Sequence, residues 1–171
     1  RVPLREAMRT AKGLPAGVQL IAEEPVLAMP SVRGDRRRIT RIIVSLLSNA
    51  FKFTAEGEVR ASVAVTNGRV TYRVTDTGIG IEPSAQPVVF DEFRQVDGSA
   101  TRRYGGSGLG LALSQGVARL LGGDIELVSA PNKGSTFTFY LPLEYVAPPQ
   151  PAAPVSACLS CGFFVPNSPA K

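Results

Sequence analysis

The dipeptide Asn67-Gly68, placed between two runs of alternating apolar residues, constrains the fold of this chain more than any other feature. The run before it carries Val59, Ala61, Val63 and Val65 at alternate positions, and the run after it carries Val70, Tyr72 and Val74. Asn-Gly favours the two-residue type I′ turn, whose twist matches that of paired antiparallel strands. The sequence therefore predicts a β-hairpin with one buried face.

Two longer segments have the three-four spacing of a buried helix face. The first follows Asp35, a good N-cap residue, and its apolar positions are Ile39, Ile42, Ile43, Leu46, Leu47 and Ala50. The second carries Leu109, Leu113, Val117, Leu120 and Leu121 and is closed by Gly122-Gly123. A shorter helix is predicted from Leu4 to Ala11, and a strand from Val18 to Ala22.

The segment after the second long helix is predicted to form two more strands, around Asp124 to Val128 and Ser135 to Leu141. The predicted order of elements is helix, strand, helix, hairpin, lid, helix, hairpin. This order indicates the α+β class, specifically a two-layer α/β sandwich with a mixed, mostly antiparallel sheet covered by helices on one face. We expect one domain over residues 1–145, and a Pro/Ala-rich linker with a disordered C-terminal tail over residues 146–171.

Composition excludes several classes of chemistry. The 171 residues include no histidine, which excludes His-based metal sites and Ser-His or Cys-His nucleophiles within this chain. Cys158 and Cys161 supply too few ligands for a structural zinc, so a pair of solvated thiols is the simpler interpretation. The net charge of +5 is spread along the chain except in segment 33–41, and no segment approaches the ~20 apolar residues that span a bilayer. We expect no nucleic-acid partner, no membrane contact and a cytoplasmic location.

A polar stripe runs beside the apolar face of the first long helix and contains Arg38, Arg41, Ser45, Asn49 and Lys52. A solvated helix flank is sufficient to explain the two arginines. The other two candidates differ, because an asparagine oxygen suits Mg²⁺ and a lysine ammonium suits a phosphate. Asn49 and Lys52 are therefore a candidate metal and phosphate site.

Asp76 continues the alternation of the second hairpin strand, so its side chain is predicted to face inward. A buried carboxylate is unfavourable unless it accepts hydrogen bonds, which suggests a specific partner. Gly78 and Gly80 follow it and would let the backbone approach a flat base without a Cβ in the way. An aspartate that merely begins an Asp-Thr-Gly turn is the alternative.

A glycine-rich segment, residues 105–110, precedes the second long helix. It does not fit the dinucleotide pattern G-x-G-x-x-G, and Leu111 stands where a P-loop would have lysine. A glycine-rich loop at a helix N-terminus still favours phosphate, because free backbone N–H groups and the helix dipole point at it. A flexible hinge into the helix is the alternative interpretation.

In their order, the segments 48–53, 76–80, 105–110 and 134–137 resemble the ATP-binding catalytic domain of sensor histidine kinases. That family shares its nucleotide fold, the Bergerat type, with type II topoisomerases, mismatch-repair ATPases and a large heat-shock chaperone. The resemblance covers roughly residues 2–143. It implies ATP and Mg²⁺ as cofactors, with Asn49 on the metal, Lys52 on a phosphate and Asp76 on the adenine amino group.

The resemblance also assigns residues to the site. The nucleotide-binding residues it implies are Asn49, Lys52, Phe53, Asp76, Gly78, Gly80, Ile81, Gly106, Ser107, Gly108, Leu109, Gly110 and Ser135. Asn49, Lys52 and Arg102 are the predicted catalytic residues, although Arg94, Gln95 and Arg103 in the same lid segment are open alternatives to Arg102. Phe90-Asp91-Glu92-Phe93 resembles the phenylalanine box that begins this lid.

Ser45 departs from the pattern, because related ATPases carry a glutamate there that activates water. A serine is not basic at neutral pH, so hydrolysis is disfavoured and transfer to a histidine is favoured. The resemblance implies an acceptor His on a separate dimerisation domain and a response-regulator receiver domain as the next partner. A nucleotide-binding regulatory module with weak or no kinase activity is the alternative, and an anti-sigma-type serine kinase is a third hypothesis.

Overall fold

A five-stranded sheet with three helices packed on it makes up the part of the chain that the computed structural model describes, residues 3–23, 34–91 and 108–143. In chain order the elements are α1 (Pro3–Thr10), β1 (Val18–Glu23), α2 (Arg36–Phe53), β2 (Gly57–Thr66), β3 (Arg69–Asp76), a 3₁₀ turn (Gln86–Val88), α3 (Gly110–Leu120), β4 (Asp124–Ser129) and β5 (Ser135–Pro142). None of the described helices is both long and apolar enough to cross a membrane.

The sheet has the strand order β1-β2-β3-β5-β4. β1 pairs with β2 in parallel, and the three other pairs are antiparallel. The predicted mixed, mostly antiparallel sheet is therefore confirmed. The β2–β3 hairpin closes at Asn67-Gly68, where both residues have positive φ, 52° and 71°, as a type I′ turn requires.

The core lies between the helices and the inward face of the sheet. Alternation along β3 buries Val70, Tyr72 and Val74, and the same period buries Asp76 at the end of the strand. The helix residues that cover this face include Ile42, Ile43, Leu46 and Leu47 of α2, which are at most 2% exposed. The predicted apolar face of α2 is therefore its buried face.

Asp35 begins α2 as predicted. Its side chain accepts hydrogen bonds from the backbone N–H groups of Arg37 and Arg38 at 2.9 and 3.2 Å, which satisfies two donors that the helix itself leaves free. The helix then runs for 18 residues and ends at Phe53. Ser45 therefore lies in the middle of α2, and Asn49 and Lys52 lie near its C-terminal end.

The helix α3 forms where predicted, and Leu121 is buried and Val117 partly buried as expected, but two of the leucines predicted on the buried face are exposed. Leu113 and Leu120 are 59% and 58% exposed, whereas Ser114 and Ala118 are buried. The small side chains of Ser114 and Ala118 let α3 approach its neighbours closely, which turns the two leucines outward.

The boundary predicted at residue 145 and the tail 146–171 lie outside the described residues and stay predictions.

Candidate nucleotide-binding site

The carboxylate of Asp76 is the most buried charged group of the site, with only 4% of the residue exposed. Its Oδ1 accepts hydrogen bonds from the backbone N–H of Gly78 at 2.9 Å and from that of Ser135 at 3.2 Å. Burial raises the pKa of Asp76, and the two backbone donors partly oppose that rise. Its other oxygen has no hydrogen-bond partner among the described residues, so it is available to a donor on a ligand.

The turn after Asp76 packs against the C-terminal end of α2. The backbone N–H of Ile79 donates to the carbonyl oxygen of Phe53 at 3.2 Å. A Cβ at Gly78 would lie 2.2 Å from that same oxygen, so only glycine fits there. α2 and the Asp76 turn are thus held in direct backbone contact.

Two further glycines bring the β4–β5 loop against the same turn. A Cβ at Gly80 would lie 1.9 Å from the carbonyl oxygen of Ala130, and one at Gly134 would lie 1.9 Å from that of Asp76. Both glycines also have positive φ, 68° and 80°. The sequence suggested that Gly78 and Gly80 make room for a base, whereas the close approach in the structure is between segments of this chain.

Asn49 and Lys52 are half-buried and lie in the last two turns of α2. The Lys52 Nζ lies 4.9 Å from the centroid of the Phe53 ring, a cation–π contact. Burial lowers the pKa of Lys52. Within the described part of the chain Lys52 forms no ion pair and the Asn49 amide forms no hydrogen bond, so no described residue competes with a ligand for those interactions.

The N-terminus of α3 lies beside the middle of α2. Gly110 is the first residue of α3, Leu109 is the N-cap residue, and Gly108 has a positive φ of 71°. Ser45 Oγ donates to the carbonyl oxygen of Gly110 at 3.3 Å, one helical turn before Asn49. Because the Leu109 side chain cannot cap the helix, the first backbone N–H groups of α3 remain suited to an anion.

Some predicted site residues lie elsewhere or outside the described residues. Gly106, Ser107 and Arg102, with the alternatives Arg94, Gln95 and Arg103, are in the segment 92–107, which the structure does not describe. Ile81 is half-buried beyond the Asp76 turn. Ser135 meets Asp76 through its backbone N–H, while its hydroxyl lies 3.0 Å from that of Ser129.

Sequence reasoning missed two polar residues that hold this region together, Ser129 and Gln86. The Ser129 hydroxyl accepts from the Ile81 backbone N–H at 2.8 Å, and the Gln86 side chain donates to the Ile81 carbonyl oxygen at 3.0 Å. The β4–β5 register pairs Ser129 with Ser135, so an explicit pairing of that hairpin would have identified Ser129. No local signal marks Gln86, because its role is to join the nearby Ile81 to Ser129, which is 43 residues away in sequence.

Magnesium fits the donor set better than a transition metal does. The described residues contain no cluster of three or more His, Cys, Asp or Glu side chains that could enclose a metal ion. Mg²⁺ commonly keeps several waters and is held by one or two protein oxygens together with substrate phosphates. The free amide oxygen of Asn49, near the α3 N-terminus, meets that limited requirement.

This two-layer α/β sandwich carries polar groups suited to a nucleotide. The sequence matches the family model described as histidine kinase-, DNA gyrase B-, and HSP90-like ATPase over residues 34–145. It is 43% identical over 134 residues to the circadian input-output histidine kinase CikA of Synechococcus elongatus, covering 78% of this chain. It is 36% identical over 167 residues to the signal transduction histidine-protein kinase BarA of Escherichia coli, covering 93% of this chain. The chain belongs to the histidine kinase-, DNA gyrase B- and HSP90-like ATPase family.

Solved structures agree with this assignment. Full-length ShkA in complex with AMPPNP superposes with a TM-score of 0.73 at 28% identity, covering 86% of this chain and 30% of ShkA. The mycobacterial sensor histidine kinase MprB has a TM-score of 0.67 at 24% identity, covering 82% of this chain and 91% of that one, and shares the fold. The chain spans 18% of the length of CikA and of BarA. The predicted resemblance to the ATP-binding catalytic domain of sensor histidine kinases is confirmed.

Proposed function

We propose that this domain binds Mg²⁺·ATP and transfers its γ-phosphoryl group to a histidine on a separate dimerisation domain, from which a response-regulator receiver domain takes it. The observation that carries the proposal is the buried carboxylate of Asp76. One of its oxygens is held by two backbone N–H groups, and the other has no partner among the described residues. A buried acceptor of this kind is matched by the exocyclic amino group of adenine.

The base preference follows from this geometry. Adenine presents an amino donor to the free oxygen of Asp76, whereas guanine presents a carbonyl oxygen at the corresponding position. Two acceptors facing each other in a buried site repel, and each is left without its hydrogen bond. We therefore expect ATP to bind in strong preference to GTP.

The phosphates and the metal would lie between α2 and the N-terminus of α3. Asn49 would bind Mg²⁺ through its amide oxygen, and Lys52 would bind a phosphate. The backbone N–H groups that follow Gly108 would bind the other phosphates, with Gly106 and Ser107 completing the loop. Arg102 is our candidate for stabilising charge on the transferred group.

The acceptor is a nucleophile that needs no general base. Ser45 stands where related ATPases carry the glutamate that activates water, and its hydroxyl donates to Gly110. An imidazole with a pKa of ~6.5 is largely neutral at pH 7 and attacks without help. The chain contains no histidine, so the acceptor belongs to another segment or another molecule.

The exposed leucines of α3 form a surface for that acceptor domain. Leu113 and Leu120 are seven residues apart on one helix face, and both are more than half exposed. Leu113 lies one turn beyond the proposed phosphate site at Gly110. A helical domain that brings its histidine to the γ-phosphate would rest on this face, and its apolar side chains would cover the leucines.

The setting we propose is cytoplasmic, with no nucleic-acid partner and no membrane contact by this domain. Two other functions of the same site differ in what happens to the γ-phosphate. A regulatory module would bind the nucleotide without transferring it. An anti-sigma-type serine kinase would place the phosphoryl group on a serine of its partner.

A labelling experiment separates these functions. The chain is incubated with ATP labelled on the γ-phosphate and a purified dimerisation domain that carries the acceptor histidine. We expect label on that domain which is lost in acid and retained in alkali, as for phosphohistidine. Replacing the acceptor histidine with alanine should abolish the labelling, and Lys52→Ala should reduce it strongly, whereas the exposed control Lys12→Ala should not. Acid-stable label would indicate a serine kinase, and nucleotide binding without any label would indicate the regulatory module.

A further inference from the structure

The side-chain amide of Gln86 is half-buried between two backbone segments. Its Nε2 donates to the carbonyl oxygen of Ile81 at 3.0 Å and to that of Ser129 at 2.9 Å. Because both neighbours are carbonyl oxygens, which only accept, the amide nitrogen and not its oxygen must face them. Both hydrogens of the amide are used, one on each segment.

Ser129 extends this contact toward Asp76. Its hydroxyl accepts from the Ile81 N–H at 2.8 Å and donates to the carbonyl oxygen of Gly134 at 2.9 Å. Since its single hydrogen is used there, the hydroxyl of Ser135, 3.0 Å away, donates to it. Ser135 in turn donates its backbone N–H to the Asp76 carboxylate. Hydrogen bonds through Ser129 and Ser135, joined within each residue by its covalent bonds, thus connect Gln86 to the carboxylate.

Backbone contacts also hold the same two segments together. The Asn132 N–H donates to the carbonyl oxygen of Ile79 at 2.7 Å. Gly80 fits so tightly that a Cβ would lie 1.9 Å from the carbonyl oxygen of Ala130. Segments 79–81 and 129–135 therefore pack as one unit, and the Gln86 side chain donates to both of them.

We propose that Gln86 is a positioning residue for base recognition: its amide joins segments 79–81 and 129–135 and so orients the Asp76 carboxylate toward adenine. Gln86 itself does not touch the nucleotide. A hydrogen bond weakens steeply as its angle departs from linear, so a small rotation of the carboxylate lowers the affinity for adenine. This inference rests on the proposed function and deepens it, because it names a residue that sets the base preference of the same site.

The substitution Gln86→Glu tests the inference with almost no change of shape. A carboxylate cannot donate, and it would face two carbonyl oxygens that repel it. The 171-residue chain is titrated calorimetrically with ADP and with GDP, well below its unfolding temperature. We expect ADP affinity to fall about tenfold, because two hydrogen bonds are lost, while GDP affinity changes by about twofold or less. Gln86→Met, which has a similar volume and no donor, should give the same loss of base preference if the first variant does not fold.

Gln19→Glu is the matched control, because Gln19 is exposed on β1 and the chemical change is identical. It should leave both affinities unchanged. A smaller ratio of ADP to GDP affinity in the Gln86 variants supports the inference, since general destabilisation would not alter the preference of the folded protein for one base. Unchanged ADP binding in a folded Gln86 variant overturns the inference alone. Failure of the unmodified chain to bind ADP overturns the proposed function with it.

Discussion

Replacing Asp76 with asparagine exchanges one buried oxygen for an NH₂ group. The asparagine oxygen can still accept from the backbone N–H groups of Gly78 and Ser135, now 2.9 and 3.2 Å from Asp76 Oδ1. The new NH₂ group then faces the adenine amino group, donor against donor. Loss of a hydrogen bond to a charged acceptor removes about 1.5–3 kcal/mol, and the unpaired buried donor costs about 1–3 kcal/mol more. ATP affinity should fall roughly 10²- to 10⁴-fold, since each 1.4 kcal/mol is tenfold.

The same substitution should stabilise the nucleotide-free protein, although it weakens ATP binding. Burial raises the pKa of Asp76, so the folded state binds its proton more tightly than the unfolded state does. The stability this provides is present below the unfolded pKa and is lost as pH rises through the folded pKa. At pH 7, well above the ordinary pKa of an aspartate, burial of the carboxyl group destabilises the fold, and Asp76→Asn should raise the Tm of the nucleotide-free chain. The increase should shrink as pH falls toward the ordinary range of an aspartate.

Titration calorimetry with AMPPNP and thermal unfolding at pH 5 and pH 7 measure both effects on one preparation. Glu126→Gln is the control, because it removes a negative charge from the exposed face of β4. We expect the control to bind the nucleotide normally. The reasoning is refuted if Asp76→Asn binds AMPPNP within about threefold of the unmodified chain, or if its nucleotide-free Tm at pH 7 is lower.

Four further substitutions test separate parts of the structure. Gly116→Ala should stabilise the chain by up to about 1 kcal/mol in a urea titration, because Gly116 is an exposed helical position with open space around it. In the same titration Gly134→Ala should destabilise the chain by more than about 2 kcal/mol, because the new Cβ would meet the Asp76 backbone and the position has positive φ. Thr54→Val should raise the free energy of unfolding by about 1 kcal/mol, because the buried Oγ1 has no partner among the described residues; a loss of stability would contradict this. Leu113→Glu should reduce phosphoryl transfer to the dimerisation domain without changing AMPPNP affinity, and equal losses in both assays would refute a docking role.

The elements that the sequence predicts well are those with local signals. Asn67-Gly68 marks the hairpin because the turn itself requires positive φ, and Asp35 marks the start of α2 because its carboxylate caps the helix. Burial of Asp76 follows from the period of the strand. The outward face of α3 could not be predicted in this way. Which side a helix buries depends on its neighbours, and small residues such as Ala118 allow a closer approach than leucines do.

The residues of the candidate site likewise differ in whether a local sequence signal predicts them. Asp76 and the polar stripe that contains Asn49 can be predicted from the sequence, because each occupies a regular position on a strand or helix. The strand order β3-β5-β4 brings Ser135 beside Asp76, and this arrangement depends on pairings that are distant in sequence. Gln86 was missed because its amide acts on two segments that only the tertiary fold brings together.

We propose that α2, the Asp76 turn and the N-terminus of α3 form one magnesium-dependent ATP site. Titration calorimetry of the 171-residue chain with AMPPNP, with and without Mg²⁺, tests it most directly. We expect binding in the micromolar range that weakens clearly when Mg²⁺ is omitted and in Asn49→Ala, but not in Asn67→Gly, which exchanges an asparagine for glycine at the β2–β3 turn. Absence of binding by the unmodified chain, or binding that neither Mg²⁺ nor Asn49 affects, would contradict the account.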